Sequence, residues 1–178
     1  MFRRAAFLDR DGVLNERPAE HEYVTDPDAL VVVRGAREAV ALLRQHGYVP
    51  IVVSNQRGVA RGLVREAVLH EIEERIRIAG VEVEHFYYCP HDFEDGCSCR
   101  KPRPGMLLSA ARELNLSLRD SVMIGDSEAD VEAGHSAGCR AILVSPAEVV
   151  TTADYMSRHI LEAARLVVGL PQTRTDSK

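Results

Sequence analysis

Ala5-Ala6-Phe7-Leu8-Asp9-Arg10-Asp11-Gly12-Val13-Leu14-Asn15 is a short apolar run that stops at two acids one residue apart. The run has the length and composition of a buried strand, and Gly12 lets the backbone turn away beyond it. Ligands of an open parallel sheet bind beyond the carboxyl ends of its strands, so Asp9 and Asp11 are expected to face a site. Asp-Gly is also among the commonest turn pairs, and an ordinary strand-to-turn junction would account for that pair alone. Two carboxylates held this close repel unless a cation or a reaction uses them, which favours the site.

Outward from this stretch, short β-type runs alternate with helical periods, the pattern of βαβ units and a parallel sheet. Strands are expected at 5–9, 48–53, 83–88, 121–125 and 140–144. Helices are expected from Ala36 to Gly47, over 63–79, from Pro104 through Leu114, and up to Ala137, where Gly138 is the stop. Val64, Val68, Ile72 and Ile76 recur every fourth residue and give the second of these its apolar face. Residues 16–34 form a long irregular excursion with two prolines, a length that usually serves as a lid or specificity loop. The expected fold is a Rossmann-like, doubly wound α/β domain over 1–170, with 171–178 a disordered polar tail.

A chain of 178 residues, 46% hydrophobic and 28% charged, can bury the core of one such domain. A net charge of −5 argues against a general nucleic-acid binder, because that affinity rests on clustered cations. No apolar run reaches the ~20 residues of a bilayer helix, so the expected location is the cytoplasm, away from any membrane. A monomer is expected. Of the 22 basic residues only Lys101 and Lys178 are lysines. Lys101 therefore marks a candidate place for a compact point charge where a planar guanidinium will not serve.

Asp9, Asp11, Ser54 and Asp126 all fall at the ends of predicted strands, which a doubly wound sheet brings to one crevice. Three carboxylates around one point suit Mg²⁺, and a hydroxyl, backbone amides and a lysine supply donors for a phosphoryl group. Taken singly these residues have plainer readings. Ser54 could cap a helix, and Asp126 and Asp130 could complement a helix amino terminus. Asp130 is expected to lie behind the site.

Cys89, His91, Cys97 and Cys99, at C-x-H-x5-C-x-C spacing, can close a tetrahedral Zn²⁺ site with no position left for water. The alternatives are free thiols or a disulfide, the latter disfavoured because nothing suggests export. Zinc would pin a loop that leads straight into Arg100-Lys101. Cys139 is expected to be a small core residue; the histidines other than His91 show no ligand spacing and read as core or surface, with His21 the exception because it lies in the 16–23 loop.

The string Phe7 to Asn15 resembles motif I of the haloacid dehalogenase superfamily, and more particularly its branch of heptose-bisphosphate and histidinol-phosphate phosphatases. Ser54, Lys101 and Gly125-Asp126-Ser127-Glu128-Ala129-Asp130 are similar to its later motifs, and CPH…CxCRKPxPGM is similar to its zinc loop. The resemblance covers residues 5–145. It implies a phosphatase with Mg²⁺ and structural Zn²⁺ and no large cap domain, and a small edge strand at 154–157, where periodicity alone allows one helix through 168. Asp9 would be the nucleophile forming an aspartyl-phosphate, and Asp11 the acid and base. Ser54, Asn55 and Lys101 would stabilise the phosphoryl group. Mg²⁺ would be held by Asp9, Asp126 and the Asp11 carbonyl.

The implied substrate is a phosphorylated sugar, heptose bisphosphate losing its 7-phosphate in nucleotide-heptose synthesis, with histidinol phosphate the alternative. Arg17, His21, Tyr23, Gln56, Arg57 and Arg100 are candidates to grip the rest of it, since arginine forks suit a second dianion. The chain departs from the family pattern at Arg57, at Ser127 and in the longer 16–23 loop. Two rivals stand beside the enzyme. One is a binding module using the zinc loop with Arg100, Lys101 and Arg103, and the other is a phospho-accepting signalling domain.

Overall fold

The computed structural model describes residues 2–19 and 22–170. The stretch Arg4–Leu8 is β1, and its side chains alternate between two buried layers. α1 (Ala36–Gln45) follows the excursion, then β2 (Tyr48–Asn55), the short α2 (Arg57–Ala60) and α3 (Glu66–Ile78). β3 (His85–Cys89) leads through the cysteine loop to α4 (Gly105–Leu114), β4 (Val122–Gly125) and α5 (Glu128–Ala137). β5 (Arg140–Val144), β6 (Tyr155–Ser157) and α6 (Ile160–Gly169) complete the order. The strand and helix at the end settle the ambiguity of 154–168.

The six strands form one parallel sheet in the order β3-β2-β1-β4-β5-β6. This is the doubly wound arrangement, whose order reverses between β1 and β4. Ala6 and Leu8 pack with the apolar faces of α1, α3 and α6, while Ala5 and Phe7 pack with Met106, Leu107, Ala110, Ala133 and Cys139. Alternation along β1 thus sends successive side chains into opposite cores, and burial on both faces explains why the strands read as continuous apolar runs. Cys139 is the core residue expected.

Three boundaries differ from the sequence expectation. β2 runs on through Ser54 and Asn55, α3 begins at Glu66, and β3 begins at His85 and reaches Cys89. Parallel pairing of Ser54 with Tyr88 and of Asn55 with Cys89 extends both strands where hydrophobicity has already ended. Ser54 is therefore a strand residue; the residue capping α2 is Gln56. The tail 171–178 lies outside the described residues.

Candidate active site

Leu8 pairs with Val52 and Ile124, so the tip of β1 lies between β2, which runs three residues further to Asn55, and β4, which ends one residue on at Gly125; Asp9 follows, its amide donating to the Ile124 carbonyl at 2.9 Å. Lys101 reaches this tip from the cysteine loop and is only 4% exposed. Its Nζ donates to Asp9 Oδ1 at 2.8 Å and to the Val53 carbonyl at 2.7 Å, and lies 2.6 Å from Asp130 Oδ1 as an ion pair. Carboxylate oxygens of Asp9, Asp126 and Asp130 all lie within 4.8 Å of one another.

Asp130 is committed to the protein. Its Oδ2 accepts from the Ser127 amide and hydroxyl, capping α5, while Oδ1 faces Lys101. Asp9 Oδ1 is taken by Lys101 and Asp126 Oδ1 by Arg17, so the second carboxylate oxygens of Asp9 and Asp126 are the ones left to hold a cation, which takes oxygen donors. Burial is the main cause that pushes Asp9 up to about 7, with Asp130 and Asp126 adding to it against the opposing pull of Lys101. Burial likewise pushes Asp126 up to about 6, although its ion pair with Arg17 pulls the other way. Carboxyls this reluctant to ionise are what a cation site looks like before its ion is counted.

Gly12 makes this packing possible. Its φ is +90°, and a Cβ there would stand 1.7 Å from Asp126 Oδ2. The close turn that delivers Asp11 and the approach of Asp126 therefore both require glycine at one position.

Asp11 points elsewhere. Arg10 grips it with two bonds, Nε to Oδ1 at 3.0 Å and Nη2 to Oδ2 at 2.9 Å. Asn15 Nδ2 adds a bond to Oδ1 at 2.9 Å and Gln56 Nε2 one to Oδ2 at 3.1 Å. The Asp11 carboxylate is thus absent from the cluster of Asp9, Asp126 and Asp130. It is held as an acceptor; to give up a proton it must release one of these donors.

The remaining candidates divide. Asn55 bonds the backbone of Lys101 twice, Nδ2 to the carbonyl and Oδ1 from the amide, both 3.0 Å, so its side chain fixes the lysine's entry. Ser54 is buried and accepts from Gln56 Nε2 at 2.9 Å. Gln56 is itself buried, its amide spent on Ser54, Asp11 and Arg10, which suits it to hold the site together more than to meet a substrate. Arg17 and Tyr23 line a cavity of about 230 Å³ with Asp11, Pro18 and Asn55. Arg57 and Arg100 lie against the cysteine loop, beside Phe93. His21 lies outside the described residues.

A model of HAD-hydrolase-like proteins matches residues 98–165. A D-glycero-β-D-manno-heptose-1,7-bisphosphate 7-phosphatase of Pasteurella multocida is 36% identical over 94% of this chain and 98% of its own. One from Vibrio cholerae is 41% identical over 78% of each chain. The chain belongs to the heptose-bisphosphate phosphatase family. The crystal structure of D,D-heptose 1,7-bisphosphate phosphatase from B. bronchiseptica, complexed with magnesium and phosphate, superposes with a TM-score of 0.83 at 30% identity, covering 93% of this chain and 98% of that one.

The loop typical of this family's resemblance is also present in space. Cys89 Sγ lies 3.6 Å from both His91 Nδ1 and Cys97 Sγ, and His91 Nδ1 lies 3.2 Å from Cys99 Sγ. Ligand atoms of a tetrahedral ion at ~2.3 Å from sulfur and ~2.05 Å from nitrogen are about 3.5–3.8 Å apart, so the four atoms can hold a metal. All four cysteines are free thiols.

Sequence reasoning missed Arg10 and Asn15 and undervalued Asp130. A signal existed for Arg10: between two acids at a strand tip it must face the opposite way, into the protein, and a charge buried to 1% exposure needs a partner. Asp130 looked like a helix-end acid, which it is, but its second oxygen serves Lys101.

Proposed function

We propose that this chain is a Mg²⁺-dependent phosphatase that removes the 7-phosphate of D-glycero-β-D-manno-heptose 1,7-bisphosphate through an aspartyl-phosphate on Asp9. The observation that carries the reading is the buried Asp9 at the β1–β4 switch point, with the Lys101 ammonium 2.8 Å away and the Asp126 carboxylate beside it. Mg²⁺, held by Asp9, Asp126 and the Asp11 carbonyl, would offset the charge between an anionic nucleophile and a phosphate dianion. Zinc is the metal that three thiols and an imidazole suit best, and its role would be to fix the loop that presents Lys101.

The chain's own residues supply the rest. Asp9 Oδ attacks phosphorus as the bond to the sugar oxygen breaks, and protonated Asp11 gives that oxygen its proton. Asp11, now a carboxylate, takes a proton from water, which attacks phosphorus and frees Asp9. Arg10, Asn15 and Gln56 together aim four hydrogen bonds at the carboxylate that Asp11 presents in this second step and so hold its position. Lys101 neutralises charge on Asp9 and on the phosphoryl oxygens, with Asp130 and Asn55 keeping it in place.

Phosphate release from the heptose bisphosphate in each anomeric form, from heptose 7-phosphate and from histidinol phosphate, with and without Mg²⁺, tests this. Preference for the β bisphosphate, dependence on Mg²⁺ and loss in Asp9→Asn are expected. Wild-type protein that releases phosphate from none of these esters would overturn the reading.

A further inference from the structure

Phe93 stands on the cysteine loop with 65% of its surface exposed. The guanidinium carbons of Arg100 and Arg57 rest over its ring, 4.2 and 4.4 Å from the centroid. Two like charges are thereby gathered on one apolar group. A ring holds guanidinium planes through its π face and makes no demand on their N–H edges, which stay available for an acceptor.

Those edges are under-used. Arg57 pairs with Asp92 at 2.6 Å, but Asp92 is shared with Arg61 at 3.1 Å. Arg100 donates to the His91 carbonyl at 3.2 Å, makes no ion pair within 4.0 Å among the described residues although its charge acts on Asp92 from further off, and its buried Nε lacks a hydrogen bond. Both arginines also start at the site's edge. Arg57 follows Asn55 by two residues, Arg100 precedes Lys101, and Asn55 and Lys101 are joined by their pair of 3.0 Å bonds.

We propose that Phe93 is a positioning residue, which stacks Arg57 and Arg100 into a clamp for the second phosphate monoester of a sugar bisphosphate. This rests on the reading of the chain as a sugar-bisphosphate phosphatase. Stacking removes rotamer freedom before the ligand arrives, so less is lost on binding. The ring stands on the cysteine loop, away from the β1 tip that carries Asp9, so its effect falls on recognition of the far end.

The test compares wild type with Phe93→Ala, Phe93→Leu and Phe93→Tyr on heptose 1,7-bisphosphate and on p-nitrophenyl phosphate, reading KM and kcat separately. Phe93→Ala is expected to raise KM for the bisphosphate about tenfold while kcat stays within about threefold, lowering the bisphosphate to p-nitrophenyl phosphate ratio of kcat/KM about tenfold. Tyrosine should restore the ratio and leucine should not. Equal losses on both esters, leucine matching tyrosine, or no change would each overturn the clamp. If wild type hydrolyses p-nitrophenyl phosphate but not the heptose bisphosphate, the substrate reading fails and competition judges the clamp. Fructose 1,6-bisphosphate must then inhibit more strongly than fructose 6-phosphate in wild type, with the margin lost in Phe93→Ala, or the clamp falls as well.

Discussion

Asp9→Asn should abolish turnover and yet stabilise the metal-free protein. In the fold the Asp9 carboxyl titrates at about 7, against 3.8 for the unperturbed group. At 1.36 kcal/mol per pH unit of displacement, keeping it ionised in the fold costs about 4 kcal/mol. The direction follows from proton counts. Between pH 3.8 and about 7 the folded state holds a proton that the unfolded chain has lost, so stability falls as pH rises across that window. Asparagine has the shape of the neutral acid and no charge to maintain. Adjustment of Asp126 and Arg17 absorbs part of the cost, leaving an expected gain of about 2 kcal/mol at pH 8, or roughly 4–8 °C in Tm for a chain of this size. The gain should shrink toward nothing near pH 4 and should narrow in saturating Mg²⁺, which stabilises wild type by binding its folded form. Thermal melts of both proteins in chelator and in Mg²⁺, across pH 4–8, read all of this. A variant no more stable than wild type at pH 8 without metal would show that the bond to Lys101 outweighs the burial of Asp9, and would refute the reasoning.

Mg²⁺ must displace protons from Asp9 and Asp126, whose carboxyls titrate at about 7 and about 6, so its apparent affinity should rise up to about tenfold per pH unit per proton between pH 5 and 7 and level off by pH 8. Calorimetry in buffers of different ionisation heat measures the protons released, and an affinity independent of pH would contradict it. Arg10→Lys cannot make the two parallel bonds to Asp11, so kcat should drop about 10- to 100-fold with a smaller change in KM; a wild-type kcat would deny Arg10 its orienting role. Gly12→Ala places a Cβ against Asp126, and activity should fall below about 1% of wild type even at high Mg²⁺, where near-normal rates would show that the turn can shift at little cost. If the cysteine loop holds the proposed metal, Cys97→Ser should lower both the metal content and Tm; an unchanged Tm and metal content would mean that the four atoms hold no ion.

The chemistry was legible in the sequence because it depends on residue types at strand ends. An apolar run ending in Asp9 and Asp11, another ending before Asp126, and a lone internal lysine after a C-x-H-x5-C-x-C loop need no coordinates to suggest a cation and a phosphate. Periodicity likewise gave five of the six strands, since burial on both faces of a parallel sheet leaves continuous apolar runs. What periodicity could not give was anything set by pairing across the fold. The last residues of β2 and β3 are strand only because each has the other beside it. β6 is three residues long and shows no period of its own. In the same way nothing in the residue types of Arg10, Asn15 and Gln56 announces that they hold the Asp11 carboxylate. Their role comes from which polar groups end up buried together, and each buried donor or acceptor must then find a partner wherever the chain brings one. The sequence by itself determined which atoms can do the chemistry. Only the tertiary structure decided how they are aimed, with Asp11 turned to Arg10, Asp130 spent on Lys101 and two arginines stacked on Phe93, because aim depends on contacts between residues far apart in the chain.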